Sequence, residues 1–217
     1  FVAGATGNAG SAVVQALVSD GHRVRALVRD DRTAGLPAGA EPVVGDLNDP
    51  RTFAGALEGV RGIFLLSGYD RLSELLAEIR RSGVERIVLL SNSAAPGGDL
   101  SNAVGRYHIL TERAVGESGV PWTFLQPNSF MTNTLQWIPQ LRQGDLIRAP
   151  FGDVAIATID PADIAAVAVK ALEGGELEGR SLRLSGPEAL YPADRARLLG
   201  SALGRDLRFE AQSNEEA

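Results

Sequence analysis

The chain of 217 residues contains no cysteine, so disulfides, thiolate metal sites and a cysteine nucleophile are all excluded. Its only histidines are His22 and His108, too few for a histidine-built metal centre, and no metal is expected. No apolar run approaches the roughly 18 residues of a membrane span, so no membrane partner is expected either. Cations are in the minority, 21 Lys and Arg against 27 Asp and Glu. The arginines are scattered along predicted helices, which argues against a nucleic-acid surface, where cations cluster. What remains is ordinary for a soluble globular protein, with 44% hydrophobic and 22% charged residues. The length suits one α/β domain over 1–217 with a sizeable core. The expectation is a cytosolic protein that handles a small molecule.

The stretch Phe1-Val2-Ala3-Gly4-Ala5-Thr6-Gly7-Asn8-Ala9-Gly10 organises the rest. A short apolar run leads into three glycines spaced G-x-x-G-x-x-G, and an apolar-periodic segment, Ala12 to Val18, follows. That order reads strand, tight turn, helix. Glycine suits such a turn because it tolerates positive φ and lets backbone approach a ligand closely. The unpaired N–H groups and dipole of the following helix then favour a pyrophosphate, the physics of a dinucleotide-binding βαβ unit. The chain begins without Met only three residues before Gly4, whereas strands usually run about 5 residues. A few residues are therefore expected to precede Phe1, and more to follow Ala217.

Further along, His22 to Arg29 alternates into a second strand after the stop signal Asp20-Gly21. Arg29 at the strand end favours NADP(H) over NAD(H), because an arginine there accommodates a 2′-phosphate. Asp30 and Asp31 keep NAD open, and Arg29 also reads as a solvated strand-end charge. A third strand, 41–44, precedes Gly45-Asp46-Leu47, and Asn48-Asp49-Pro50 opens a helix running to about Glu58. The fourth strand, Val60 to Leu66, ends in Ser67-Gly68-Tyr69. In a parallel doubly wound sheet this transition passes under the cofactor. Strand 85–90 ends in Ser91-Asn92-Ser93, helix 104–119 follows, and strand 121–125 leaves through Gln126-Pro127-Asn128-Ser129-Phe130. Apolar and amide residues then gather: Phe130, Met131, Asn133, Trp137, Pro150 and Phe151. They suit a flat hydrophobic ligand or, for the aromatics, simply a core; Trp137 is the leading pocket candidate. The fold expected is a doubly wound, mostly parallel α/β sheet of Rossmann type. A small C-terminal substrate lobe would draw on 127–160 and 180–217.

G-A-T-G-N-A-G at 4–10, G-H-R-V-R-A-L-V-R at 21–29, G-D-L at 45–47 and F-L-Q-P-N-S-F-M-T-N at 124–133 together resemble the NmrA-like branch of the atypical short-chain dehydrogenase/reductases. The resemblance implies an NAD(P)-binding site from Gly4, Thr6, Gly7, Asn8, Ala9, Gly10, Arg29, Asp46, Leu47, Leu66, Ser67, Gly68, Ser91, His108, Pro127, Asn128 and Phe130. It puts Asp46 beside the adenine, although Asp46 reads equally as a turn residue. For the substrate pocket, on which the resemblance says little, the candidates are Tyr69, Phe130, Asn133, Trp137 and Phe151. Anchored on Glu112, the family's Tyr-x-x-x-Lys falls on Val104 and His108, so the usual acid/base pair is absent. Gln126 replaces the arginine common before Pro127. Tyr107 is not promoted, since its i+4 neighbour is Thr111. His108 is the candidate catalytic residue. Glu112, four residues on, either fixes its tautomer and raises its pKa as a proton relay, or forms a structural pair beneath the cofactor.

Two functions follow. One is an NAD(P)H-dependent oxidoreductase that passes hydride to a quinone or another conjugated carbonyl, the cofactor carrying the chemistry. The other is a non-catalytic NAD(P) sensor of the NmrA type with a regulatory protein partner. An epimerase or an isoflavone-reductase-like enzyme is weakened by the absent lysine. A homo-oligomer is compatible with either.

Overall fold

The computed structural model describes residues 1–30 and 35–213. It divides into two compact units, 1–127 with 161–184, and 128–160 with 185–217.

The first unit contains α1 (Asn8–Ser19), β1 (Val24–Val28), β2 (Ala40–Val44), β3 (Gly62–Leu66), α2 (Leu72–Arg81), β4 (Arg86–Leu90), α3 (Ala103–Glu117) and β5 (Trp122–Pro127). Its second segment, 161–184, adds one helix and one strand, named below. Val2 bridges Ala26 of β1 on one side and Phe64 of β3 on the other, both in parallel sense. The apolar run before the glycine turn is therefore an interior strand of the sheet. The sheet runs β2, β1, Val2, β3, β4, β5 and a last strand at 180–184, all parallel. This is the doubly wound order whose direction reverses between the Val2 strand and β3. The interior strands carry near-continuous apolar runs, as strands covered on both faces do: Ile63, Phe64, Leu65, Ile87, Val88 and Leu89 are at most 1% exposed. Pro42 lies on β2, which among the described residues pairs only with β1, as suits a proline on an edge strand.

The second unit contains α4 (Ile138–Leu141), β6 (Leu146–Ala149), α6 (Pro192–Leu203) and β8 (Arg208–Ala211). Parallel strands β6 and β8 pair from Leu146↔Arg208 to Ala149↔Ala211. Beneath them Trp137, Ile147, Ala149, Ala196 and Leu207 form a separate core.

Helix α5 (Pro161–Glu173) and β7 (Arg180–Leu184) return to the first unit. That corrects two expectations. The lobe segment expected over 180–217 is divided, because 180–184 pairs in register with β5 from Thr123↔Arg180 to Pro127↔Leu184 and extends the main sheet. The helix expected over 48–58 is two short 3-10 turns, Pro50–Thr52 and Ala54–Leu57. Asp49 does not cap it; both carboxylate oxygens accept from Arg51 instead, at 2.8 and 3.1 Å. Phe53, with φ −133°, leaves the helical path to bury its ring against Phe1 at 5.4 Å between centroids.

Candidate functional site

Gly4 sits at the reversal point of the sheet with φ +62°, and a Cβ there would lie 2.5 Å from Leu66 Cδ1. Gly10 faces the same turn from α1, where a Cβ would lie 2.1 Å from the Gly4 carbonyl oxygen. These two glycines let helix and strands approach. Gly7 is different. A Cβ on it would meet only the Gly4 oxygen, at 3.3 Å, and its residue is exposed. Gly7 is also the N-cap of α1, and no side chain caps that helix. Backbone donors left without a side-chain acceptor, beside a surface with no side chain on it, fit a pyrophosphate. Thr6 and Asn8 are exposed around this cradle, whereas Ala9 and Gly10 are buried and offer backbone alone.

Leu66 ends β3, and Ser67, Gly68 and Ser91 follow β3 and β4 at the same carboxyl edge, because those strands are parallel and in register. The Ser67 hydroxyl donates to the Leu90 carbonyl at 3.3 Å, which ties the two strand ends together. Gly68 has φ +96°, and the ring of Tyr107 closes its Cβ direction at 3.3 Å. At the other end of this edge, Arg29 is exposed, and both Arg29 and Asp46 act electrostatically on Tyr69. Burial, followed by the opposing effects of Arg29 and Asp46, pushes the Tyr69 phenol up to about 12. Tyr69 therefore keeps company with the residues read for the adenosine end, and packs against the main core. The other substrate candidates, Phe130, Asn133, Trp137 and Phe151, lie in the second unit. Asp46 accepts from the Asn48 N–H at 2.9 Å, so one oxygen closes a turn. The side chain of Leu47 is core, 6% exposed. Asp31, the second acid weighed against Arg29, lies outside the described residues.

His108 is 8% exposed on α3, and the Tyr107 ring lies 4.1 Å from it at 35°. The expected pairing with Glu112 is not formed. Glu112 Oε1 accepts from the Ser91 hydroxyl and from Gln126 Nε2, the latter at 2.9 Å. Two partners at the ends of β4 and β5 compete for the carboxylate more favourably than a residue one helical turn away. Left without it, His108 Nδ1 is buried with no hydrogen-bond partner. Burial lowers the imidazole to about 4, the opposite of the expected rise. His108 is thus a neutral imidazole at pH 7. The position of the missing tyrosine, Val104, is 54% exposed.

Pro127 is buried at the end of β5, and Asn128 and Phe130 open the second unit half-buried. Phe130 bridges Ile159, and Asn133 donates to the Ser129 hydroxyl at 3.0 Å. Trp137, the leading pocket candidate, is core: it is 2% exposed, and the Arg195 guanidinium lies 5.5 Å from its ring centroid. An indole at the centre of a small unit does more for that unit's own packing than for any ligand. Phe151 is 61% exposed and has φ +58°. The signal that reading by residue type missed is Tyr107, which belongs to this edge through Gly68 and His108. Among the described residues no helix is long and apolar enough to cross a membrane.

Over residues 4–174 the chain matches the protein family described as NAD(P)H-binding. It is 40% identical over 214 residues to the (4-alkanoyl-5-oxo-2,5-dihydrofuran-3-yl)methyl phosphate reductase of Streptomyces griseus, an alignment spanning 97% of this chain and 76% of that protein. It is 36% identical over 225 residues to the NAD(P)H azoreductase of Xenophilus azovorans, spanning 100% and 78%. Among solved structures it is similar in fold to the Citrobacter sp. triphenylmethane reductase complexed with NADP(H), with TM-score 0.84 and 23% identity over 99% of this chain and 79% of the other.

Proposed function

The chain belongs to the NAD(P)H-binding family, and from that premise we propose that it is a reductase which passes hydride to a small, planar, apolar acceptor such as a quinone or another conjugated carbonyl. The observation that carries this reading is the pair of relatives at 40% and 36% identity, both named as reductases, aligned over nearly the whole chain. When bound, the nicotinamide supplies the hydride. The protein's share is to hold and orient. The cradle around Gly7 takes the pyrophosphate, and Ser67, Gly68 and Ser91 line its path along the carboxyl edge. His108, neutral, offers a hydrogen bond near the nicotinamide ribose and is not an imidazolium acid. A conjugated acceptor draws its proton from solvent, so the missing tyrosine and lysine do not bar the reaction.

NADP(H) is the preferred cofactor in this reading, because Arg29 gives charge-assisted hydrogen bonds to a 2′-phosphate, worth roughly 1.5–3 kcal/mol. Calorimetric titration is expected to show NADPH binding roughly ten-fold or more tighter than NADH, with the preference lost in Arg29→Ala. Equal affinities would remove Arg29 from the site. The reductase itself is tested by following NADPH oxidation against a panel of quinones and enones. Tight NADPH binding with no turnover of any acceptor would leave the non-catalytic sensor standing instead.

A further inference from the structure

We propose that Tyr107 is the aromatic wall of the acceptor site, the surface on which a planar acceptor stacks. The inference rests on the reductase reading above. Three observations in the first unit lead to it. The Tyr107 ring covers Gly68, whose missing side chain and φ of +96° leave bare backbone at the carboxyl edge. Its other neighbour is the imidazole of His108, at 4.1 Å between centroids. Backed by a glycine and a buried ring, the phenol is held in place, and the tyrosine is still 42% exposed. An aromatic ring fixed by its neighbours presents apolar area at low entropic cost and prefers another flat π system in offset or edge contact. Helix geometry adds to the case. Thr111, one turn on, donates its hydroxyl to the Tyr107 backbone carbonyl at 2.7 Å, which ties this turn of α3 together beneath the ring.

Tyr107 therefore acts through its ring and sets specificity for the acceptor, whereas a proton donor would act through its hydroxyl. The two roles separate cleanly between Tyr107→Phe and Tyr107→Ala. Steady-state kinetics with NADPH would compare 1,4-naphthoquinone with cyclohex-2-enone, a small non-aromatic acceptor. Tyr107→Phe is expected to match the parent chain. Tyr107→Ala is expected to raise KM for the naphthoquinone by about 3- to 10-fold with kcat little changed and the enone unaffected. A second readout needs no turnover: menadione titrated into the chain loaded with NADP+, where no hydride is available, should bind 3- to 10-fold more weakly to Tyr107→Ala. Loss of kcat in Tyr107→Phe would overturn the proposal in favour of a proton donor. Weakened NADPH binding in Tyr107→Ala, read by cofactor fluorescence, would assign the ring to the cofactor and overturn it too, as would an unchanged menadione affinity. If the parent chain binds NADPH but reduces nothing, the reductase reading fails, and the menadione titration still decides whether Tyr107 stacks a planar ligand.

Discussion

The glycine turn of the first unit and the aromatic residues of the second meet their surroundings in opposite ways. Around Gly4, Gly7 and Gly10 the chain offers backbone. Two of these glycines make room for neighbouring backbone and side chain, and the third, exposed, has only the Gly4 oxygen near its Cβ direction. In the second unit Trp137 and Phe151 offer large rings. One is sealed at 2% exposure in the core, and the other stands 61% exposed on a positive-φ residue. A glycine's role follows from what a Cβ would strike: the turn's own backbone for Gly7 and Gly10, and Leu66 of β3 for Gly4. A ring's role follows from which partner reaches it, and in the second unit the partners come from β6, α6 and Leu207, distant in sequence.

The largest test of the contrast is Trp137→Ala. Removal of a fully packed indole should cost about 3–5 kcal/mol. For a chain of this size that is roughly a 6 to 20 °C fall in Tm by calorimetry. NADPH affinity should hold at temperatures where the chain stays folded. A stable variant with a raised acceptor KM would return Trp137 to the pocket and undo the comparison.

Next come the two glycines that look alike in the motif. Gly10→Ala places a Cβ 2.1 Å from a backbone oxygen, which cannot move aside like a flexible side chain. It should destabilise by about 3 kcal/mol, the upper end for overpacking. Gly7→Val meets only a 3.3 Å contact and keeps an N-cap φ of −87° that valine adopts freely. Its stability should change by about 1 kcal/mol or less, yet NADPH affinity should fall about 100-fold or more, since the branched side chain occupies the pyrophosphate's approach to α1. Circular dichroism melts and fluorescence titration read both. Retained binding in Gly7→Val would make the whole turn structural.

His108 gives a pH test. Its folded value of about 4 lies below the usual 6.5 for histidine, so between these limits the unfolded chain binds more protons. Stability is then fully present above about pH 6.5 and declines as pH falls toward 4. Urea unfolding across this range should show the slope, and His108→Gln should flatten it. By the same reasoning kcat should show no inflection from His108 between about pH 6 and 7.5. An inflection there that His108→Gln removes would restore the proton relay.

Much of this architecture was legible in the chain because local rules write it: apolar runs between turn signals for the strands, and a glycine turn straight after the interior strand that holds Val2. The edge proposed for the cofactor rests on the same rules, since parallel strands deliver their carboxyl ends to one side. What escaped depended on pairings between distant segments. Spacing on α3 offered Glu112 to His108, but Ser91 and Gln126 took the carboxylate from two other strands. Tyr69 reads as a substrate candidate from sequence, and the electrostatic reach of Arg29 and Asp46 to it comes from segments 23 to 40 residues away. Tyr107 was passed over because a dyad needs lysine at i+4, a criterion blind to what its ring could cover across the sheet edge.

The smallest expected effect concerns Phe151 and separates exposure from strain. Its φ of +58° falls in the left-handed region, where a side chain with a Cβ costs roughly 1 kcal/mol relative to glycine. The Phe151 carbonyl accepts from the Val154 N–H at 3.0 Å, closing a turn that holds the residue there. With 61% of the residue exposed, little packing offsets that cost. Phe151→Gly should therefore raise Tm slightly, by roughly 2–4 °C for a gain near 1 kcal/mol, while Phe151→Ala, which keeps its Cβ, should leave it within about 2 °C. Strain kept at an exposed ring is the pattern of a residue retained for contact with a ligand. If Phe151→Gly gains stability and loses acceptor affinity together, Phe151 belongs to the substrate site and the second unit has one ring for its core and one for its ligand. If Phe151→Gly loses stability, the ring packs within its own unit, and the contrast between Trp137 and Phe151 is one of degree.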